Sequence, residues 1–164
     1  MIDKTTIAMS GLFPYIWLIV KDGDSRVSDI YKRHYSCYQY ADGRRNNTAN
    51  RNRHLVMGPG EKLVLMTGDC KAIFGWRKFI DAAGQEGVNC SFFRNEGAYD
   101  GMLSSQLILA AEKLAAAKWP NERLYTYVAA GKVKSTNPGY CFKMAGWKPC
   151  GHTKTRGLLI LEKF

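Results

Sequence analysis

The chain has 164 residues and a formal charge of +10, from 24 Lys and Arg against 14 Asp and Glu. That length suits one domain with a core of its own, and an apolar content of 46% argues against a disordered chain. The cationic surplus points to a polyanionic partner, while five cysteines with no C-x-x-C pair argue against a disulfide framework or a zinc knuckle and for a reducing, cytoplasmic setting.

The longest apolar run, GLFPYIWLIV over 11–20, is interrupted by Pro14 and is far shorter than the ~20 residues of a membrane span. It lacks the basic start and small-residue cleavage site of a signal peptide. No membrane partner is expected, and YIWLIV over 15–20 reads as a buried strand. In GDSRVSDIYKRHYS, Asp24 or Ser25 is placed to cap a helix that carries Val27, Ile30, Tyr31 and His34 at spacings of three and four. His34 then falls near the helix's C-terminal end.

DGRRNNTANRNRH over 42–54 is the low-complexity stretch of the chain. Asn and Gly favour turns and the arginines repel one another, so a basic flexible loop is expected at about 41–54. GPGEKLVLMTG and CKAIFGW then read as two strands joined by a tight Gly-Asp turn, and VNCSFFRN as a third. The linker EGAYDG leads into a helix, MLSSQLILAAEKLAAAKW, with Leu103, Leu107, Ile108, Ala111 and Leu114 as its apolar stripe and Pro120 as its stop. RLYTYV is a strand, NPGYCFKMAGW a short helix between Pro138 and Gly146, and HTKTRGLLILEKF ends in a final strand. Strands and hairpins interspersed with helices indicate an α/β (α+β) fold, with a mixed sheet and helices on both faces.

Several residues carry chemistry. His34 has an ordinary pKa near 6.5 and can act as base, acid or metal ligand, or be a satisfied interior His. Tyr35 can stack on a base or pack in the core. Tyr38, beside Arg33, Arg44, Arg45, Arg51 and Arg53, suits nucleic acid, since rings stack on bases while cations hold phosphates. Lys132 and Lys134 add to that basic set. Arg94-Asn95-Glu96-Gly97-Ala98-Tyr99-Asp100-Gly101 lies between a strand and a helix start, where free N–H groups and the helix dipole favour an anion. Arg94 can bind phosphate or carboxylate bidentately or form a surface ion pair with Glu96. Ser104 and Ser105 begin that helix, either as caps or as hydroxyl donors to a bound anion.

The element order and two motifs are similar to the GNAT acyltransferase fold. Asn137-Pro-Gly-Tyr140-Cys-Phe-Lys-Met-Ala-Gly146-Trp147 looks like the GNAT pattern of an Asn, a Tyr and a Gly-aromatic ending. The resemblance implies a single GNAT-like domain over 1–164 with a mostly antiparallel central sheet, and Tyr140 as general acid beside the acyl-CoA thiol. Arg94, Asn95, Gly97, Gly101, Ser105 and Asn137 would then hold the cofactor. The anion loop is longer than the usual GNAT Arg/Gln-x-x-Gly-x-Gly/Ala.

Over about 30–164 the chain further resembles the Mom-like phage proteins, a divergent GNAT branch. The resemblance rests on Arg33-His34-Tyr35-Ser36, GPGEKLVLM, SFFRNEG, LSSQLI, NPGYCFKMAGW and the GLL ending, in that order. It implies conversion of adenine in double-stranded DNA to N6-carbamoylmethyladenine, as protection from restriction in the host cytoplasm. It also implies a catalytic His34–Tyr35 pair with Ser104, and Fe(II) held in part by His34. The donor would be an acyl-CoA or an aminoacyl or glycine-derived group, free or carried; a homodimer is left open. Such proteins carry an Asp after Thr-aromatic-Val at the end of a strand, where this chain has Ala129. An inactive chain, or another residue in that role, is therefore expected. The rival readings are an acetyl-CoA-dependent N-acetyltransferase acting on RNA or protein, and a non-catalytic DNA-binding protein.

Overall fold

The computed structural model describes residues 16–34, 54–80, 84–132 and 136–164. Residues 41–53 of the basic loop lie outside that set, as do Tyr35, Tyr38, Arg44, Arg45, Arg51, Arg53 and Lys134.

Alternation of side chains builds the two layers of the core. Along β2 (Glu61–Thr67), Leu63 and Leu65 join one buried cluster while Val64 and Met66 join another. This is the period of two that puts neighbouring side chains on opposite faces of a sheet. The first cluster packs against helix α2 (Ser104–Lys118) through Leu107, Ile108, Ala111 and Ala115. The second packs against helix α1 (Ser25–Tyr31) through Val27 and Ile30. Helices therefore cover both faces, as the sequence predicts.

Among the described residues the sheet has seven strands in the order β1-β2-β3-β4-β5-β7-β6. The others are β1 (Trp17–Val20), β3 (Ala72–Lys78), β4 (Val88–Asn95), β5 (Leu124–Val128), β6 (Lys148–His152) and β7 (Leu159–Lys163). Every neighbouring pair is antiparallel except β4 and β5, which run parallel. The expected mixed, mostly antiparallel sheet is thus observed. The third helix, α3 (Tyr140–Met144), is short, and the left-handed Gly146 comes after it (φ 94).

Three boundaries differ from the sequence expectation. The first helix ends at Tyr31, so His34 lies in the turn beyond it, where its N–H reaches the Tyr31 carbonyl at 2.9 Å. Leu103 is an exposed N-cap in extended conformation and not part of the α2 stripe. β6 has no counterpart among the predicted strands. Its KPCGH sequence holds no alternating apolar pattern, and it is an edge strand paired only with β7.

Tryptophans tie the sheet to α2. Trp17 and Trp76 are buried and donate their indole N–H groups to the carbonyls of Leu107 (2.9 Å) and Ala111 (3.0 Å), one turn apart. Trp147 and Lys163 both donate to the Glu112 carboxylate on the same helix. A buried indole needs an acceptor, so these bonds fix where α2 lies along the sheet.

Candidate active site

The parallel pair does not stay paired. β4 and β5 match at Val88–Leu124, Asn89–Tyr125 and Cys90–Thr126, and the ladder ends there. β4 continues alongside β3 as far as Asn95, and β5 continues alongside β7 as far as Val128. The two strands thus open a cleft in the middle of the sheet. A bulge marks the point of divergence: Gly75 pairs with Phe92 and Trp76 with Cys90, which leaves Ser91 as the extra residue of β4. Bulges add local twist and bend a strand away from its neighbour.

The carboxyl ends of β4 and β5 lie at the same end of the sheet, and the segments that leave them surround the cleft mouth. After β4 come Gly97 to Gly101, all but Ala98 with positive φ: Gly97 94°, Tyr99 52°, Asp100 54° and Gly101 100°. Asn95 ties this turn down. Its carbonyl oxygen accepts the N–H groups of Gly97 (3.1 Å) and Ala98 (2.9 Å), and its amide donates to the Ser104 hydroxyl (3.1 Å) and the Met102 carbonyl (3.3 Å). The Tyr99 hydroxyl bridges the Gly68 N–H and the Ile16 carbonyl at 2.9 and 2.7 Å, and its backbone N–H reaches Asp69 at 2.7 Å.

This arrangement decides which N–H groups are left outside the turn's own bonds. Those of Gly97 and Gly101 are engaged inside the turn, with Asn95 and with the Ala98 carbonyl. Ser104 and Ser105 are the first two helical residues, and Leu103 at the N-cap offers no side-chain oxygen. Their N–H groups therefore have no intrahelical acceptor and stand at the positive end of a 15-residue helix. The serines do not cap the helix; they belong to its first turn.

His34 stands at β4 above the last β5 pairing. It is 8% exposed and stacks face to face on Tyr31, whose ring meets Phe92 edge-on. Burial pushes its pKa down to about 4, and the Arg94 guanidinium adds to that shift. A hydrogen bond with the Phe93 backbone opposes it, which makes the imidazole the donor in that bond. β4 has no β5 ladder at this level, so its backbone is open to a side-chain partner. At neutral pH the imidazole is uncharged, with one nitrogen donating and the other able to accept a proton.

The charged residues beside His34 form a closed set. Glu96 takes a bidentate bond from Arg33 and a bond from the Arg94 Nε at 2.7 Å. Arg33 holds its carboxyl down at about 2, and Arg94 adds to the effect. Arg94 thus has a carboxylate partner within the chain. Arg33, expected on nucleic acid, is bound to the same carboxylate and to the Asp29 carbonyl at 2.9 Å.

On the β5 limb, Ala129 comes directly after the strand and is half-buried, and its carbonyl accepts the Lys132 N–H at 2.9 Å. Gly139 leads into α3 with φ 74 and sits directly against Leu161 and Val128. Tyr140 is next and is 55% exposed, so it does not pack beneath the sheet. The Asn137 carbonyl oxygen accepts from the Lys143 ammonium at 2.7 Å, inside the same turn of chain. Between Glu122 and Glu162 the chain has no acid. Lys132, His152, Lys154 and Arg156 are exposed at the end of the sheet where β4 and β5 part; the β6–β7 turn that carries Lys154 and Arg156 adjoins the His152–Leu159 pair.

Among solved structures the chain is similar to the GNAT domain of PAT from S. lividans. The TM-score is 0.58 at 15% identity, over 90% of this chain and 88% of that one. It is also similar to an acyl-CoA N-acyltransferase from Pseudomonas aeruginosa, with a TM-score of 0.53 at 17% identity, over 90% of this chain and 98% of that one. The chain has the GNAT fold. No family model and no curated protein matches the sequence.

Within the GNAT frame, the structure brings His34, Arg94, Asn95, Ser104 and Ala129 to one end of the sheet. Glu96 is bound to both arginines: its pair with Arg94 is the one the sequence offers, whereas its Arg33 contact joins positions 63 apart and is not legible there. Among the described residues no three His, Cys, Asp or Glu side chains gather as a metal site. The described donors around His34 therefore do not fit iron. No helix among the described residues is long and apolar enough to cross a membrane.

Proposed function

We propose that the chain is an acyl-CoA-dependent N-acyltransferase. The observation that carries this reading is the opening between β4 and β5, with the free N–H groups of α2 beside one limb and a neutral, buried His34 against the other face. The Ser104 and Ser105 N–H groups and the Ser104 hydroxyl would hold the pyrophosphate of coenzyme A, and the unpaired backbone of β4 beyond Cys90 would bind its extended arm. When bound, the thioester supplies an activated acyl carbonyl. His34 takes the proton that the attacking amine sheds as the new C–N bond forms and the C–S bond breaks, and the leaving thiolate recovers that one proton from the imidazolium, directly or through water. An imidazole depressed to about 4 is a weak base. It suits an amine whose proton is acidified only as the bond forms, such as an aromatic exocyclic amine with a delocalised lone pair.

For the acceptor we infer a nucleic acid, with adenine N6 in DNA as the group modified. The acid-free stretch from 123 to 161 and the exposed Lys132, Lys154 and Arg156 favour a phosphate-bearing partner, and the Mom-like motifs favour adenine. An adenine would have to leave the base stack to reach His34. The full Mom-like product adds a carbamoylmethyl group, which simple acetyl transfer does not make; an aminoacyl or glycine-derived donor fits its atoms.

Two measurements test this. Acetyl-CoA should raise the melting temperature of the purified chain, and nucleoside mass spectrometry should find a heavier adenosine in DNA from cells expressing the chain or its Ala129→Asp form. No shift with any CoA thioester would overturn the transferase reading. A shift with unmodified DNA from both forms would overturn the DNA acceptor.

A further inference from the structure

We propose that Glu96 is a positioning residue that holds the His34 imidazole at the cleft. The inference rests on the reading of His34 as the group that takes the proton. Two ties join the end of α1 to the exit of β4, and they lie side by side in both segments. One is Arg33–Glu96–Arg94, in which the carboxylate takes Nε and Nη2 of Arg33 and Nε of Arg94. The other is His34 to the Phe93 backbone. Arg33 and His34 are adjacent in sequence, as are Phe93 and Arg94. The carboxylate therefore fixes the spacing across which the imidazole bond must form.

His34 needs such help. The helix ends at Tyr31, so His34 lies beyond its regular ladder, with its N–H on the Tyr31 carbonyl, its ring on Tyr31 and its imidazole on the Phe93 backbone. Glu96 in contrast is anchored from below, since its own N–H donates to the Lys71 carbonyl at 2.7 Å in the β2–β3 turn. A bidentate guanidinium–carboxylate pair defines distance and plane together, and a second guanidinium on the same oxygen restricts it further. Without the carboxylate, Arg33 and Arg94 are two like charges that push α1 and β4 apart.

The test uses ¹⁵N-histidine labelling of the full chain and of its Glu96→Gln and Glu96→Asp forms, with melting temperature as the check on folding. In the parent chain the His34 imidazole N–H should be visible and slow to exchange. Glu96→Gln should speed that exchange at least about tenfold while the fold persists, and Glu96→Asp, which keeps the charge, should restore part of the protection. For acyl transfer, Glu96→Gln should lower kcat about tenfold or more with KM for acetyl-CoA within about twofold, the pattern of a misplaced group and not of lost donor binding. Unchanged exchange and kcat in a folded Glu96→Gln chain would overturn the inference. If the parent transfers no acyl group, the transferase reading fails separately, and the imidazole signal alone decides the role of Glu96.

Discussion

Burial of a neutral histidine links stability to pH, and the displaced pKa sets the size of the effect. His34 sits at about 4 in the folded chain, against an ordinary value of 6.5. Its folded pKa is depressed, so the unfolded chain takes up the proton first. The contribution is intact above about pH 6.5 and is lost as pH falls through the window down to about 4. At pH 5 the unfolded imidazole is almost wholly protonated and the folded one about a tenth, a difference worth about 2 kcal/mol; the full shift is worth about 3 kcal/mol. The perturbation is His34→Gln, which keeps a hydrogen-bonding side chain and removes the titration. Urea unfolding at pH 7, 6 and 5 should show the parent chain losing about 2 kcal/mol more than the variant over that interval, whatever their offset at pH 7. Parallel pH profiles, within about 0.5 kcal/mol, would refute both the burial of the imidazole and its neutral state in the cleft.

Two further changes probe the frame of the site. Gly139→Ala puts a methyl group 2.5 Å from the Leu161 Cδ1 at φ 74; with Leu161 fully buried, overpacking and left-handed strain together should cost about 2–4 kcal/mol in urea unfolding, and a cost under about 1 kcal/mol would mean that α3 is not seated on β7 as described. Trp76→Phe removes the indole bond to Ala111 and leaves a void under α2, so it should cost about 2–3 kcal/mol by the same assay, and a neutral result would show that the indole does not fix the helix.

The layers of the fold were legible because they rest on local patterns. Leu63 to Met66 alternate between clusters, and Leu107, Ile108 and Ala111 recur at helical spacing. The exceptions have physical causes. β6 is an edge strand with Pro149 and Gly151 at exposed or half-exposed positions, so no apolar rhythm announces it. Arg94 and Asn95 were legible as residues of a strand-to-helix turn, and an Arg94–Glu96 pair was one reading of the sequence, but the rest of their employment was not. Asn95 uses both ends of its amide to bind the turn, and Arg94 is bound to a carboxylate that also holds Arg33. Such contacts depend on which segments meet, and β4 meets the end of α1 only in the folded chain. The cleft was hidden for the same reason. VNCSFFRN reads as one uninterrupted strand, and nothing in it shows that Ser91 is an extra residue against β3 or that β5 stops pairing one residue earlier.

That coincidence of bulge and divergence explains where the cleft lies. An open pair of strands leaves backbone N–H and carbonyl groups without ladder partners, and such groups seek others. Here each limb is held from outside, β4 by β3 as far as Asn95 and β5 by β7 as far as Val128, so the opening cannot close by re-pairing. His34 takes part of the exposed backbone at Phe93. The rest of the β4 edge has no β5 ladder, and the helix after β4 presents its N-terminus at the same end. A basic surface alone would say only that the chain prefers anions. A fixed opening, a β4 edge without a β5 ladder and a neutral imidazole come together at this end of the sheet.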